Sequence, residues 1–266
     1  MFLKLYSKLV LDFHKFTLFS LSIIAALYAS VGHGGASGYL AVLSLTVYAS
    51  NDPVWLKQHA WCLNLLVAGI AFLAYKKSGF FDMKLALPFI VASIPAAFFG
   101  GYLRVDNTVY DILLALTLLF AAWKLYSLNK SNPEASVNQS PPFVIALIIG
   151  FVIGFLSGII GVGGGIFLSP IILIFGWSNP KTTAGVAAAF IWVNSLAGLL
   201  GSTISGQLVV DLSTLIPLAI SVLIGGYVGS KYGSERLSQN SIRNILVAVM
   251  LIASLRQILD LLGFII

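Results

Sequence analysis

Gly161-Val162-Gly163-Gly164-Gly165 stands inside a run, residues 142–176, that is otherwise as apolar as a membrane helix. Gly32-His33-Gly34-Gly35 stands inside another, residues 16–49, with Gly32 lying 129 residues before Gly161. Close glycines in the middle of a hydrophobic segment break a helix, because glycine gains the most conformational freedom by leaving it. Broken backbone at membrane depth is tolerated only where it is buried in protein or lines a cavity. Two such breaks at matching places in two halves of a chain point to the binding site of a transporter.

The composition agrees with a membrane protein. The chain is 59% hydrophobic and 9% charged, with a mean hydropathy of +0.98. Soluble domains carry roughly 25% charged residues, which excludes a water-soluble fold. A crossing takes about 20 apolar residues, so the 266 residues hold seven or eight segments and no sizeable soluble domain. The formal charge of +6 does not imply nucleic acid, since Lys and Arg sit in short loops between apolar runs, as membrane orientation requires. Cys62 is the single cysteine, which leaves no disulfide framework and no cysteine metal site. Lys4, Lys8 and Lys15 ahead of an apolar run through Ala29 have the outline of a signal peptide. Cleavage near Ser30 would remove the counterpart of residues 150–160, so the segment is expected to be retained.

The apolar segments are 16–49, 54–75, 84–103 and 110–127, then 142–176, 182–204, 212–230 and 242–264. Between them LNKSNPEASVNQSPP, Leu128 to Pro142, is a polar linker rich in turn-forming residues. The expected domains are a first membrane repeat over 1–127, the linker over 128–141, and a second membrane repeat over 142–266. The halves match beyond their glycines. Asn51-Asp52-Pro53 matches Ser178-Asn179-Pro180, Asn64 matches Asn194, Ser78-Gly79 matches Ser205-Gly206, and Pro88 matches Pro217.

Charge gives orientation. Lys76, Lys77 and Lys84 crowd one loop of the first half, whereas its next loop has only Arg104. In the second half the pattern reverses: residues 203–213 hold no Lys or Arg, and Lys231, Arg236 and Arg243 mark the following loop. Cationic loops face the cytoplasm, so equivalent loops lie on opposite sides and the repeats are inverted. The expected fold is an all-α integral membrane protein of two inverted four-segment repeats, each opening with a Gly-broken helix or re-entrant hairpin. Inversion needs an odd number of crossings per unit, which favours hairpins in both halves. Lys124, Lys130 and Lys181 then share the cytoplasmic side, and Lys4, Lys8 and Lys15 lie outside.

A helix restarting after Gly35 or Gly165 presents free N–H groups and a partial positive charge. Two such termini meeting at mid-membrane would form an anion site without a buried charged side chain, and no Lys or Arg stands unambiguously at mid-membrane. The candidate substrate-binding residues are Gly32, His33, Gly34, Gly35, Asn64, Gly161, Gly163, Gly164, Gly165, Thr183 and Asn194. His33 could donate to an anion or titrate near neutral pH, or bond a backbone carbonyl at its own break. Asn64 and Asn194, in equivalent helices, could orient a substrate oxygen or bridge helices. Thr182, Thr183, Ser169 and Ser195 are weaker candidates, since such hydroxyls commonly bond their own helix. His59 beside Trp61 reads as interfacial, and Arg256 with Asp260 one turn later reads as a helical pair near the outer interface. Asp12, Asp52, Asp82, Asp106, Asp111, Glu134, Asp211 and Glu235 all fall at loops or segment ends, so a buried carboxylate relay is not expected. No HExxH, GxSxG or Walker motif occurs; neither an enzyme nor an ATP-driven pump is indicated, and no cofactor or metal is expected.

With the glycine segments, the repeats and the stretch TTAGVAAAF (Thr182–Phe190) assembled, the chain resembles the TauE/SafE family of membrane permeases. The likeness covers nearly the whole chain and is most specific at GFLSGIIGVGGGIFLSPIIL (Gly154–Leu173). The first repeat departs, with His33 inside its motif, Ala36-Ser37 in place of Gly165-Ile166, and Ala41 in place of Pro170. The resemblance implies a secondary transporter of small sulfur-containing anions such as sulfite, organosulfonates or thiosulfate. The residues themselves indicate only a pseudo-symmetric site compatible with an anion, working by alternating access. An anion-selective channel of the same fold, or a transporter of another small anion, is the alternative. The expected setting is multi-pass in a plasma membrane, a bacterial inner membrane. The partners are the lipid bilayer and a small anion, with no nucleic acid; coupling to a proton or sodium ion, and homo-oligomerisation, are left open.

Overall fold

A proline is tolerated in the first turn of a helix, where its missing N–H would be unpaired anyway, and a preceding Asp or Asn can accept from the next free N–H. Asp52-Pro53 and Asn179-Pro180 start two 25-residue helices in this way. Asp52 accepts from the Val54 N–H at 2.7 Å and Asn179 from the Thr182 N–H at 2.9 Å. The computed structural model describes residues 2–43, 46–48, 51–104, 140–242, 244–245 and 248. Its elements are all helical: α1 (Phe2–Ala29), α2 (Ala36–Leu43), α3 (Pro53–Lys77), α4 (Met83–Tyr102), α5 (Phe143–Ile160), α6 (Gly165–Ile174), α7 (Pro180–Ile204) and α8 (Leu212–Glu235). Among the described residues α3, α4, α5, α7 and α8 are long and apolar enough to cross a membrane. Segment 110–127, nearly all of 242–264, the linker to residue 139, and the Arg256–Asp260 pair lie outside the described residues.

Two of the residue pairs matched in sequence fall at like places in their helices. Ser78 and Ser205 close α3 and α7, each followed by a glycine at positive φ, +81° at Gly79 and +75° at Gly206. Pro88 and Pro217 lie inside α4 and α8. Asp211 caps α8, and the hydroxyls of Thr214 and Ser213 donate to its carboxylate at 2.6 and 2.8 Å, holding its pKa below the usual carboxylate range.

The end of the bundle where α3 begins is here the near side, and the end where α3 closes is the far side. Helix α1 passes the near side at His14, whose ring meets Tyr48 at 6.0 Å, and Tyr48 stacks on Trp55 in the first turn of α3 at 5.6 Å. On the far side the Tyr75 hydroxyl donates to the Ser30 carbonyl at 2.5 Å, one residue past α1. Tyr48 follows α2, so the chain has come back to the level of His14. Helices α5 and α6 repeat this excursion from the other side. Lys57, early in α3, donates to the carbonyl of Ile159 at the end of α5. After α6, Trp177 is back beside Phe89, early in α4, with ring centroids 6.1 Å apart.

Helix packing in lipid depends on close backbone approach more than on hydrophobic burial. Two glycine rows provide it. A Cβ at Gly150, Gly154 or Gly158 of α5 would fall 2.3, 2.5 or 2.2 Å from the carbonyl oxygens of Phe89, Ser93 and Ala97 of α4. A Cβ at Gly225, Gly229 or Gly233 of α8 would fall 1.9, 2.0 or 2.2 Å from those of Ser22, Ala26 and Ser30 of α1 or just past it. Contacts across the halves are also reciprocal. Gly100 faces the Phe155 carbonyl as Gly229 faces that of Ala26, each residue displaced by 129 positions. Likewise Gly198 packs on the Trp61 ring and Gly69 on that of Trp192.

Lys76, Lys77, Lys84, Lys181, Lys231 and Arg236 all stand at far-side ends of helices. There Lys181 Nζ donates to the Ser234 carbonyl at 3.2 Å and lies over the Phe80 ring. On the near side Gln58 ties α3 to the loop before α8. Its Nε2 donates to Ser202 Oγ (2.8 Å) and the Gln207 carbonyl (2.6 Å), and its Oε1 accepts from the Val209 N–H (2.9 Å). His59 stands at this same end, in the second turn of α3. It is fully buried, stacked on Trp55 at 3.6 Å, with Nε2 accepting from the Asp211 N–H at 3.2 Å.

Candidate functional site

The carboxamide of Asn64, a side chain that can donate and accept at once, stands near the middle of α3 and is fully buried. It accepts from the N–H of Ala36, the first residue of α2, at 3.2 Å and donates to Ser195 Oγ of α7 at 3.0 Å. Both glycine segments close on it. A Cβ at Gly34 would lie 1.9 Å from Asn64 Oδ1, and one at Gly163 would lie 2.5 Å from Asn64 Nδ2 and 3.1 Å from Ser195 Oγ. One side chain therefore touches the turn before α2 and the turn before α6.

The backbone at the second turn needs glycine. Gly161 closes α5 at φ +89°, and Gly163 (+75°) and Gly164 (+81°) lead into α6. A side chain at those angles costs roughly 1–2 kcal/mol per residue, and the space is already filled. Gly164 lies against Ile153, Phe190 and Ser157, Gly165 against Ile191, and Gly161 against the stem of Lys57. At the first turn Gly32 (φ +74°) lies on the Ala184 carbonyl of α7, and Gly35 (φ +97°) on the Tyr39 ring. Each turn thus packs against the opening residues of the other half's long helix, Gly32 on Ala184 and Gly161 on Lys57.

His33 belongs to this crossing. Its Nδ1 donates to the Val31 carbonyl at 3.0 Å, its ring lies against the backbone of Gly165, and Nε2 has no hydrogen bond of good geometry. Thr183 is beside Ala184 in the first turns of α7, buried, with an unpartnered Oγ1. Asn194 is as buried as Asn64, yet neither of its amide atoms has a partner among the described residues. Ser157 Oγ, Ser169 Oγ and Trp61 Nε1 are also buried and unpartnered. A buried polar atom left without a partner costs about 1–3 kcal/mol, and such atoms recur where a fold is built to meet something else. All eleven residues expected at the site lie at or beside the two turns or on the helices packed against them.

Lys57 was missed by the sequence reading. It is only 7% exposed, in the second turn of α3, its Nζ 3.4 Å from the Ile159 carbonyl and 5.0 Å from the centre of the Trp61 ring. Its place four residues after Pro53 resembles the helix-end lysines that reach water, so position alone gave no signal.

Sequence comparison follows this geometry. The family described as sulfite exporter TauE/SafE matches residues 17–256. The chain belongs to this family. It is 35% identical over 237 residues to the "probable membrane transporter protein y4hK" of Sinorhizobium fredii, covering 88% of this chain and 94% of that one. The "probable membrane transporter protein YdhB" of Bacillus subtilis is 27% identical over 223 residues, 79% of this chain and 86% of that one. YunE of the same organism, with the same description, is 27% identical over 181 residues, 61% and 64% of the two chains. No solved structure matches significantly. As a TauE/SafE protein with five helices of membrane-spanning length, the chain is a multi-pass membrane transporter of the plasma membrane.

Proposed function

We propose that this TauE/SafE protein is a secondary transporter of small sulfur-containing anions, of the sulfite, organosulfonate or thiosulfate class. It works by alternating access around the turns Gly32–Gly35 and Gly161–Gly165. The observation that carries this is the position of Asn64 against both turns. It brings the start of α2 and the start of α6 to one place in the interior of the bundle, and helix starts favour negative charge. Among the acidic residues whose side chains are described, Asp52, Asp82 and Asp211 are helix caps and Glu235 ends α8, so none of these carboxylates opposes an anion there. The sulfur chemistry rests on the family description, and the transport reading on the names of the relatives.

We read the halves, 1–127 and 142–266 about the linker 128–141, as inverted repeats with the far side cytoplasmic. The reciprocal glycine contacts and the cationic far-side helix ends support this reading. Purified protein in proteoliposomes, given radiolabelled sulfite, thiosulfate and sulfoacetate with and without a pH gradient, tests the proposal. Saturable accumulation of one of them against its gradient is expected. Flux that never exceeds equilibration indicates a channel, and no flux of any of the three by folded protein removes the sulfur assignment.

A further inference from the structure

Lys57, Trp61 and Asn64 stand at spacings of four and three on α3, which places them in one stripe down the same face. The stripe runs from the near side to the crossing of the two glycine turns. We infer that Lys57 supplies the fixed positive charge that holds the anion between the near-side opening and Asn64. This inference rests on the anion reading above.

Four observations carry it. The ammonium is inside a membrane-spanning helix with 7% of the residue exposed, whereas a lysine that merely reaches for the surface would present its head to water. Its one hydrogen bond, to the Ile159 carbonyl, is long at 3.4 Å, and no carboxylate pairs with it among the described residues. Of the acid side chains described on that side, Asp52 accepts from the Val54 N–H and Asp211 from Ser213 and Thr214. A charge buried in the protein within a membrane-spanning helix, with no counter-charge among the described residues, marks function by default.

The second observation is what lies beside the ammonium. Trp61, whose ring it faces, is fully buried with an unpartnered Nε1. The edge of that ring meets Gly198, one turn beyond Asn194 and its unpartnered amide. A small oxyanion has the acceptors that an ammonium, an indole N–H and a carboxamide N–H require, and a cation would be repelled. Third, Gly161 packs directly on the Lys57 stem, so a movement of the second glycine turn is felt at this side chain. Fourth, the charge is one-sided: Gly161 packs on Lys57, whereas the residue of α7 on which Gly32 packs is the uncharged Ala184. Anion affinity should therefore be higher for the near-side opening than for the far-side one.

The test uses Lys57→Met, Lys57→Gln and Lys57→Arg in the full chain, with exposed Lys84→Gln as control. KM and maximal flux are read in proteoliposomes with labelled sulfite, thiosulfate and sulfoacetate, and anion-induced thermal stabilisation is read in detergent. Loss of a charge-assisted bond predicts a KM raised about tenfold or more in the Met and Gln variants. Maximal flux should stay within about threefold, Lys57→Arg should stay near wild type, and Lys84→Gln should be unchanged. Because the ammonium is uncompensated, Lys57→Met should melt no lower than wild type without anion and lose the anion-induced stabilisation. A KM unchanged in Lys57→Met, or an Arg variant as impaired as the Gln variant, overturns the inference and leaves the transport reading standing. A lowered melting point in Lys57→Met with retained anion stabilisation does the same, since it marks a packing role. If wild-type protein neither moves nor is stabilised by any of the three anions, the anion reading falls and the role of Lys57 with it.

Discussion

Asn64 of α3 and Asn194 of α7 are both fully buried, yet among the described residues one is bonded at each end and the other at neither. Asn64 clamps the first N–H of α2 to Ser195 of α7 and so fixes the crossing. Asn194 has the same carboxamide at the same depth with its donors and acceptors free. One carboxamide thus holds the fold and the other meets no described partner. The same contrast separates Lys57, against which Gly161 packs, from Ala184, against which Gly32 packs.

The strongest way to break this comparison is to fill the crossing from either side. Gly163→Leu and Gly34→Leu each drive a side chain into Asn64, and Gly163 adds the strain of its positive φ. Flux should fall by about a hundredfold or more in both, while the protein still elutes as a single species in detergent. Near-normal flux in either folded variant would remove the crossing from the transport path. The asparagines give the next effect. Asn64→Leu orphans the Ala36 N–H and should destabilise by about 1–3 kcal/mol, whereas the near-isosteric Asn194→Leu removes only unpaired atoms and should be close to neutral. Substrate binding should respond in the opposite sense, with Asn194→Leu weakening anion affinity about tenfold. Chemical denaturation and substrate titration of the two variants read this directly, and equal stability losses would show that the two residues do the same job.

A smaller difference should separate the reciprocal tryptophan contacts. A Cβ at Gly198 would stand 2.8 Å from Trp61, inside any relaxed contact, and one at Gly69 would stand 3.3 Å from Trp192 Nε1. Gly198→Ala should cost about 1–3 kcal/mol of overpacking, and Gly69→Ala clearly less, by the same denaturation assay. The smallest effect expected is that of Tyr75→Phe. It removes the bond to the Ser30 carbonyl that ties the end of α1 to α3. The loss should be about 0.5–1.5 kcal/mol, with KM unchanged.

Much of the architecture was legible because its signals are local. Glycine at Gly161, Gly163 and Gly164 forces the α5–α6 break through backbone conformation alone, and Asp52-Pro53 and Asn179-Pro180 start helices through caps that need no partner helix. The glycine rows of α5 and α8 were in plain sight at every fourth position, but their meaning lay in carbonyls of α4 and α1 that no spacing identifies. The burial of His59 was not legible because its hydrogen-bond partner, Asp211, lies 152 residues away in the chain.

The amino-acid sequence by itself determined that the chain lives in a membrane and where glycine interrupts its helices. These follow from hydropathy, backbone freedom and charge, which each residue carries with it. Only the tertiary structure decided that both glycine turns close on Asn64, that Asn194 stays unbonded, and that Lys57 is sealed inside. Burial and pairing are properties of neighbours, and Ser195 against Asn64 and Ile159 against Lys57 come from more than a hundred residues away in the chain.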